Sequence, residues 1–137
     1  MGFLKGFSGN NKIKISDRKI DYSFAGAWNF KRKYLIKAFE DRKNDGKKKY
    51  FFIIKNWCGK ESVGLSIKEY SSLISNSKIS LCPPGYSSNE SFRTCESARC
   101  GSIIVAEDPH DFWYNKKLPF FKIKSWENLN IIDEIFS

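Results

Sequence analysis

The sequence predicts an α/β domain, built on a mostly parallel sheet with helices on both faces. Three observations predict it. Short apolar runs alternate with segments of helical period, and the connections between them are short. One run, Lys49–Ile54, is apolar enough to be buried on both faces, as strands of a parallel sheet are.

The elements follow in order. Ile20–Gly26 reads as a strand ending in glycine. Asn29 is placed to cap a helix running to about Lys43, with Tyr34, Leu35, Ala38 and Phe39 as its inner face. Asp45-Gly46 makes a turn into the second strand, Lys49–Ile54. Ser66 with Glu69 forms a capping box that opens a helix to about Ser75. Ile79–Cys82 is a third strand, stopped by Pro83-Pro84-Gly85. Ser88 or Asn89 caps a helix from Glu90 to Cys100, and Gly101 ends it. Ser102–Ala106 is a fourth strand, and Asp108-Pro109 suggests a helical turn after it. Phe120–Ile123 makes a short last strand and Glu127–Phe136 a closing helix.

Length and composition bound what such a domain can be. At 137 residues, the chain fits one domain; 41% hydrophobic and 28% charged residues exclude a disordered chain. No apolar run approaches the roughly 20 residues of a membrane span, and the opening residues lack the apolar core of an export signal. The expected location is therefore cytoplasmic, with the four cysteines (Cys58, Cys82, Cys95, Cys100) reduced. No C-x-x-C pair exists, so no metal is expected.

The net charge of +9 is uneven. Residues 1–60 hold 16 basic against 5 acidic side chains, net +11, whereas residues 61–137 hold 8 against 10, net −2. A basic half implies an anionic partner: a phosphorylated ligand, the surface of an anionic membrane, or nucleic acid. The competing reading is a solvated surface biased to lysine, since only five of the basic residues are arginine. Lys47-Lys48-Lys49 fits that reading, as a cluster at the strand end away from any ligand. Neither a GxxxxGK[ST] loop nor a GxGxxG fingerprint is present, which argues against NTPase and dinucleotide-binding functions.

In a parallel sheet the ligand sits beyond the carboxyl ends of the strands. The segments to inspect are thus Gly26-Ala27-Trp28, Asn56-Trp57-Cys58-Gly59, Cys82-Pro83-Pro84-Gly85-Tyr86 and Glu107-Asp108. A glycine loop running into a helix start offers N–H groups and a partial positive charge to a diphosphate. Arg93, one turn into the helix after Gly85, can add a forked cation. Glu96, three residues on, can accept hydrogen bonds from ribose hydroxyls, or can simply pair with Arg93 at the surface. Glu107 and Asp108 either bind sugar hydroxyls or cap the next turn. His110, the only histidine, lies in a polar turn without an evident catalytic partner.

The ordered set Cys82-Pro83, Gly85, Ser91-Phe92-Arg93, Glu96, Ala98, Gly101, Ile103-Ile104-Val105, Pro119-Phe120 and Trp126 resembles the exostosin-like family. That family supplies donor-binding halves of GT-B glycosyltransferases. Upstream, Arg18–Gly26 with Arg32 is similar to the family's opening strand, glycine loop and helix arginine. The likeness covers roughly residues 17–128, leaving residues 1–16 as an extension and 17–137 as one Rossmann-like, nucleotide-sugar-binding domain. It implies a nucleotide-diphosphate sugar as substrate, with no cofactor and no metal. Arg93 and Arg32 would neutralise the diphosphate, Gly26 and Gly85 would let backbone approach it, and Glu96 would hold the ribose. Trp57 or Tyr86 would cover the base.

Two residues depart from the family pattern. Pro84 stands where the family carries a loop arginine, and Ser97 replaces the alanine after the glutamate. A GT-B enzyme also has a first domain that supplies the acceptor site. The expectation is therefore a fragment, or a subunit completed by a separate N-terminal half or by self-association, acting on a glycan or other hydroxyl acceptor. Two alternatives stand beside it: a non-catalytic nucleotide-sugar or glycan-binding module, and a basic nucleic-acid-binding protein. The last lacks the arginine clusters it would need.

Overall fold

The computed structural model describes residues 13–27, 32–54, 66–83, 92–106, 120–123 and 125–137. Among the described residues, five parallel strands form one sheet in the order β2-β1-β3-β4-β5. They are β1 (Ile20–Ala27), β2 (Lys49–Ile54), β3 (Ser77–Cys82), β4 (Ile103–Ala106) and β5 (Phe120–Lys122). The described residues also form four α-helices: α1 (Lys33–Asp41), α2 (Ile67–Ser75), α3 (Phe92–Arg99) and α4 (Asn130–Phe136). The fold is thus the single Rossmann-like α/β domain that the alternating pattern predicts.

Alternation along the strands separates two cores. Tyr22 and Phe24 of β1, Ile79 and Leu81 of β3 and Val105 of β4 face one way, onto Leu35, Ala38 and Phe39 of α1 and Ile132 of α4. Every one of these is at most 6% exposed. At this cluster's edge, Phe39 stacks on Phe51 of β2 with ring centroids 4.2 Å apart. The opposite face carries α2 and α3. There Cys82, Ile104 and Ala106 meet Ala98 of α3, and Ile74 of α2 meets Cys100.

That second face is lined by hydroxyls. The Ser80 and Ser97 oxygens lie 2.7 Å apart, which ties β3 to α3. Ser77 donates to the Leu73 carbonyl at 2.7 Å, and its oxygen also lies 2.7 Å from that of Ser23. Ser77 has one proton, committed to Leu73, so Ser23 is the donor in the second bond.

The strands are anchored at their amino ends by Arg18, which is 4% exposed. Its guanidinium donates to the carbonyls of Ile13 (3.1 Å), Ser77 (3.0 Å) and Cys100 (2.6 Å), and to Ser102 Oγ (2.9 Å). One side chain therefore joins the chain before β1 to the starts of β3 and β4.

Several boundaries differ from the sequence reading. α1 starts at Lys33 with Arg32 as its N-cap, later than a cap at Asn29 would give; Asn29 itself lies outside the described residues. Tyr34 is 48% exposed, so it does not belong to the inner face of α1. β3 begins at Ser77, because Asn76 alone joins it to α2. α4 begins at Asn130, where Asn128 Oδ1 accepts from the Asn130 N–H. Lys49 is not part of a solvated cluster: its ammonium pairs with Asp45 and bonds the Arg42 carbonyl.

Two expected caps are present as read. Ser66 accepts from the Glu69 N–H at 3.1 Å, and Gly101 follows α3 with φ +75°. Gly46 takes φ +79° in the turn before β2. Both glycines sit where an L side chain would be strained.

Candidate functional site

The strand order reverses between β1 and β3. From β1 the chain moves outward to β2, then crosses back to β3 on the other side. At such a switch point, the connections at the carboxyl ends diverge and leave a crevice. The register shows where it opens. β1 and β3 pair from Ile20↔Ser77 to Ser23↔Ser80. Beyond those residues β1 stays with β2 as far as Ala27↔Ile54, and β3 stays with β4 as far as Cys82↔Ala106. The sheet therefore parts into two halves above Ser23 and Ser80, and Gly26 lies on the β1 side of that parting.

α1 and α3 both begin at this end of the sheet, since each follows a strand that finishes there. They approach from opposite faces. α1 brings Arg32, which is 6% exposed and holds its guanidinium carbon 5.4 Å from the centre of the Phe24 ring. The cation is thus packed against β1 just before Gly26, where an aromatic face favours it. α3 carries Arg93 in its first turn and Glu96 one turn later.

Glu96 is 2% exposed. Its depth is set by the next residue, since Ser97 is bonded to Ser80, the last β3 residue paired with β1. Glu96 is therefore level with the base of the parting. This burial removes the alternative in which Glu96 is half of a solvated surface pair with Arg93. A carboxylate enclosed in this way is costly unless polar groups serve it.

Of the residues singled out from sequence, Gly26, Arg32, Arg93 and Glu96 are thus gathered around one end of the sheet. Gly85, Trp57, Tyr86, Glu107 and Asp108 lie outside the described residues, as do His110 and Pro84. Trp126 is 3% exposed within the α1/α4 core, and among the described residues its indole N–H meets no acceptor.

Sequence reasoning counted Arg18 only as part of the opening stretch Arg18–Gly26, and set Tyr34 on the inner face of its helix. Arg18 leaves a faint signal, a lone arginine next to an apolar strand. Tyr34 leaves none, because it stands beside Leu35 in an apolar pair and only the helix phase separates them. No protein-family model matches the chain, and no curated protein matches it.

Proposed function

We propose that the domain binds a nucleotide-diphosphate sugar at the parting between β1 and β3, as the donor-binding part of a glycosyltransferase. The observation that carries this reading is the switch point itself. A five-stranded parallel sheet opens at its carboxyl end between two helix starts, with a glycine on one lip and a buried arginine at one helix start.

The chemistry follows from those parts. Gly26 has no side chain to hold a ligand away from the β1 backbone. Arg32 and Arg93, arriving from opposite faces, supply positive charge to the diphosphate in the ground state. They also stabilise the charge that grows on it as leaving group. Glu96 would accept from ribose hydroxyls. Since it is enclosed, the ribose reaches it only after the residues above it shift, and binding must offset that cost. The acceptor hydroxyl and the base that takes its proton belong to a second half, so the chain alone binds donor and does not transfer it efficiently.

Titration calorimetry with uridine and guanosine diphosphates tests the reading. Wild-type protein should bind at least one of them. Arg93→Ala or Arg32→Ala should weaken binding about ten- to a hundredfold, the range of a charge-assisted contact of ~1.5–3 kcal/mol. Absence of binding, or full affinity in both variants, refutes it. Efficient transfer from a radiolabelled donor by the isolated chain would refute the need for a second half.

A further inference from the structure

The surface of α1 carries one feature that the diphosphate reading does not use. Tyr34 is the most exposed of the large apolar residues among those described, at 48%. The Lys33 ammonium lies over its ring, 4.9 Å from the centroid, and Lys37 is exposed one turn further along.

The helix phase says where this ring lies. Successive side chains advance by about 100° around an α-helix. Phe39 marks the side of α1 over β2, through its stack on Phe51. Leu35 and Ala38 follow around the helix, over the core. Tyr34 comes next, on the flank turned away from β2. The right-handed crossover from β1 through α1 to β2, in a sheet ordered β2-β1-β3, turns that flank toward β3. Tyr34 therefore stands on the β3 side of α1. It is the second residue of the helix, so it is also at the carboxyl end of the sheet. These two coordinates place it at the rim of the parting between β1 and β3.

We infer that Tyr34 is the stacking platform for the base of the bound nucleotide, with Lys33 closing the far face of the ring. This rests on the proposed diphosphate site and adds to it the group that recognises the base. The ring suits that role in two respects. An aromatic side chain bearing a cation on one face keeps the other face for a flat partner, and every base has such a face. An ammonium beside the ring also favours a ligand that brings its own negative charge, as a nucleotide does and a free sugar does not.

The test uses the whole chain and three probes: uridine diphosphate, inorganic pyrophosphate and an eight-residue oligothymidylate. Tyr34 is exposed, so its substitution leaves the fold intact. Tyr34→Ala should weaken uridine diphosphate about five- to a hundredfold, the range of a lost base–aromatic stack, and leave pyrophosphate affinity unchanged. Tyr34→Phe should restore affinity to within about twofold, because the stack needs the ring and not the hydroxyl.

The failures are distinguishable. Unchanged uridine diphosphate binding in Tyr34→Ala overturns the platform and leaves the diphosphate site standing. An equal loss of both probes overturns it too, since the effect would then not involve the base. If neither uridine diphosphate nor pyrophosphate binds the wild type, the platform and the site fall together. Tight oligothymidylate binding that Tyr34→Ala abolishes, without uridine diphosphate binding, would assign the ring to single-stranded nucleic acid instead.

Discussion

Replacing Arg18 by methionine is the sharpest test of how the amino ends of the strands are held. Methionine keeps the apolar stem and removes the guanidinium. Four acceptors lose a donor, but not equally. Ser102 Oγ keeps its own bond to the Ile74 carbonyl at 2.8 Å; its one proton is committed there, so the Ser77 carbonyl, 3.2 Å from the same oxygen, receives no more than a share of it. The Ile13 carbonyl belongs to a half-buried bond and can turn to water. The Cys100 carbonyl, bonded at 2.6 Å within the interior, is left with a full desolvation cost, and the buried Ser77 carbonyl with part of one.

Hydrogen bonds from charged donors contribute about 1.5–3 kcal/mol each, and an orphaned buried acceptor costs about 1–3 kcal/mol. Removing a buried cation offsets part of this, because burial disfavours the charge and pulls the Arg18 pKa down. The net expectation is a loss of ~2–3 kcal/mol. At a urea m-value of roughly 2 kcal/mol/M, this moves the unfolding midpoint down by about 1–1.5 M without changing the slope. Urea titration followed by tryptophan fluorescence measures it. A loss below about 0.5 kcal/mol would mean that the network is bystander geometry and that hydrophobic packing alone sets the register.

Two further substitutions probe other parts of the fold. Asp45 accepts from Tyr22 Oη (2.7 Å), Arg42 Nε (3.0 Å) and the Lys47 N–H (3.0 Å), and pairs with the Lys49 ammonium. Burial pushes its carboxyl up, but Lys49, Tyr22 and the Lys47 amide outweigh this and hold it well below the usual carboxylate range. Its folded pKa is thus below its unfolded value of about 4, so its contribution is full above that pH and is lost as pH falls below it. Asp45→Asn should therefore cost ~1–3 kcal/mol at pH 7, and the gap to wild type should shrink below pH 4 in urea titrations at stepped pH. A constant gap would exclude ionisation as the cause. Gly101→Ala, forced into φ +75°, should cost about 1–2 kcal/mol by thermal unfolding, although the site is exposed and has no packing to lose.

The parts legible in the sequence were those set by local chemistry. Lys49–Ile54 is a strand because the five-residue apolar run Tyr50–Ile54 after a glycine turn has few other solutions. Ser66 and Gly101 act as read because a cap is decided within four residues of itself. The candidate site was legible to the extent that it follows from topology, since strand ends and helix starts locate Gly26, Arg32, Arg93 and Glu96 together. What stayed hidden depends on distant partners. Arg18 looks like one more surface cation until the chain returns 59 residues later at Ser77 and 84 later at Ser102. The depth of Glu96 is equally invisible, because Ser97 reads as a mild departure from alanine rather than as a bond to Ser80.

The contrast between the two faces of the sheet has a consequence for motion. On the α1/α4 face, α1 and α4 are held by large apolar side chains, and detaching either exposes surface that water resists. On the α2/α3 face much of the attachment comes from buried serines, whose hydroxyls find replacement partners as soon as water enters. Opening that layer therefore costs less than opening the other. Amide hydrogen exchange should rank them accordingly, with α2 and α3 exchanging through partial openings while β1, β3 and α1 wait for global unfolding. Glu96 lies in the layer that opens more cheaply, so the motion that the proposed ribose contact requires is the one that this fold makes easiest.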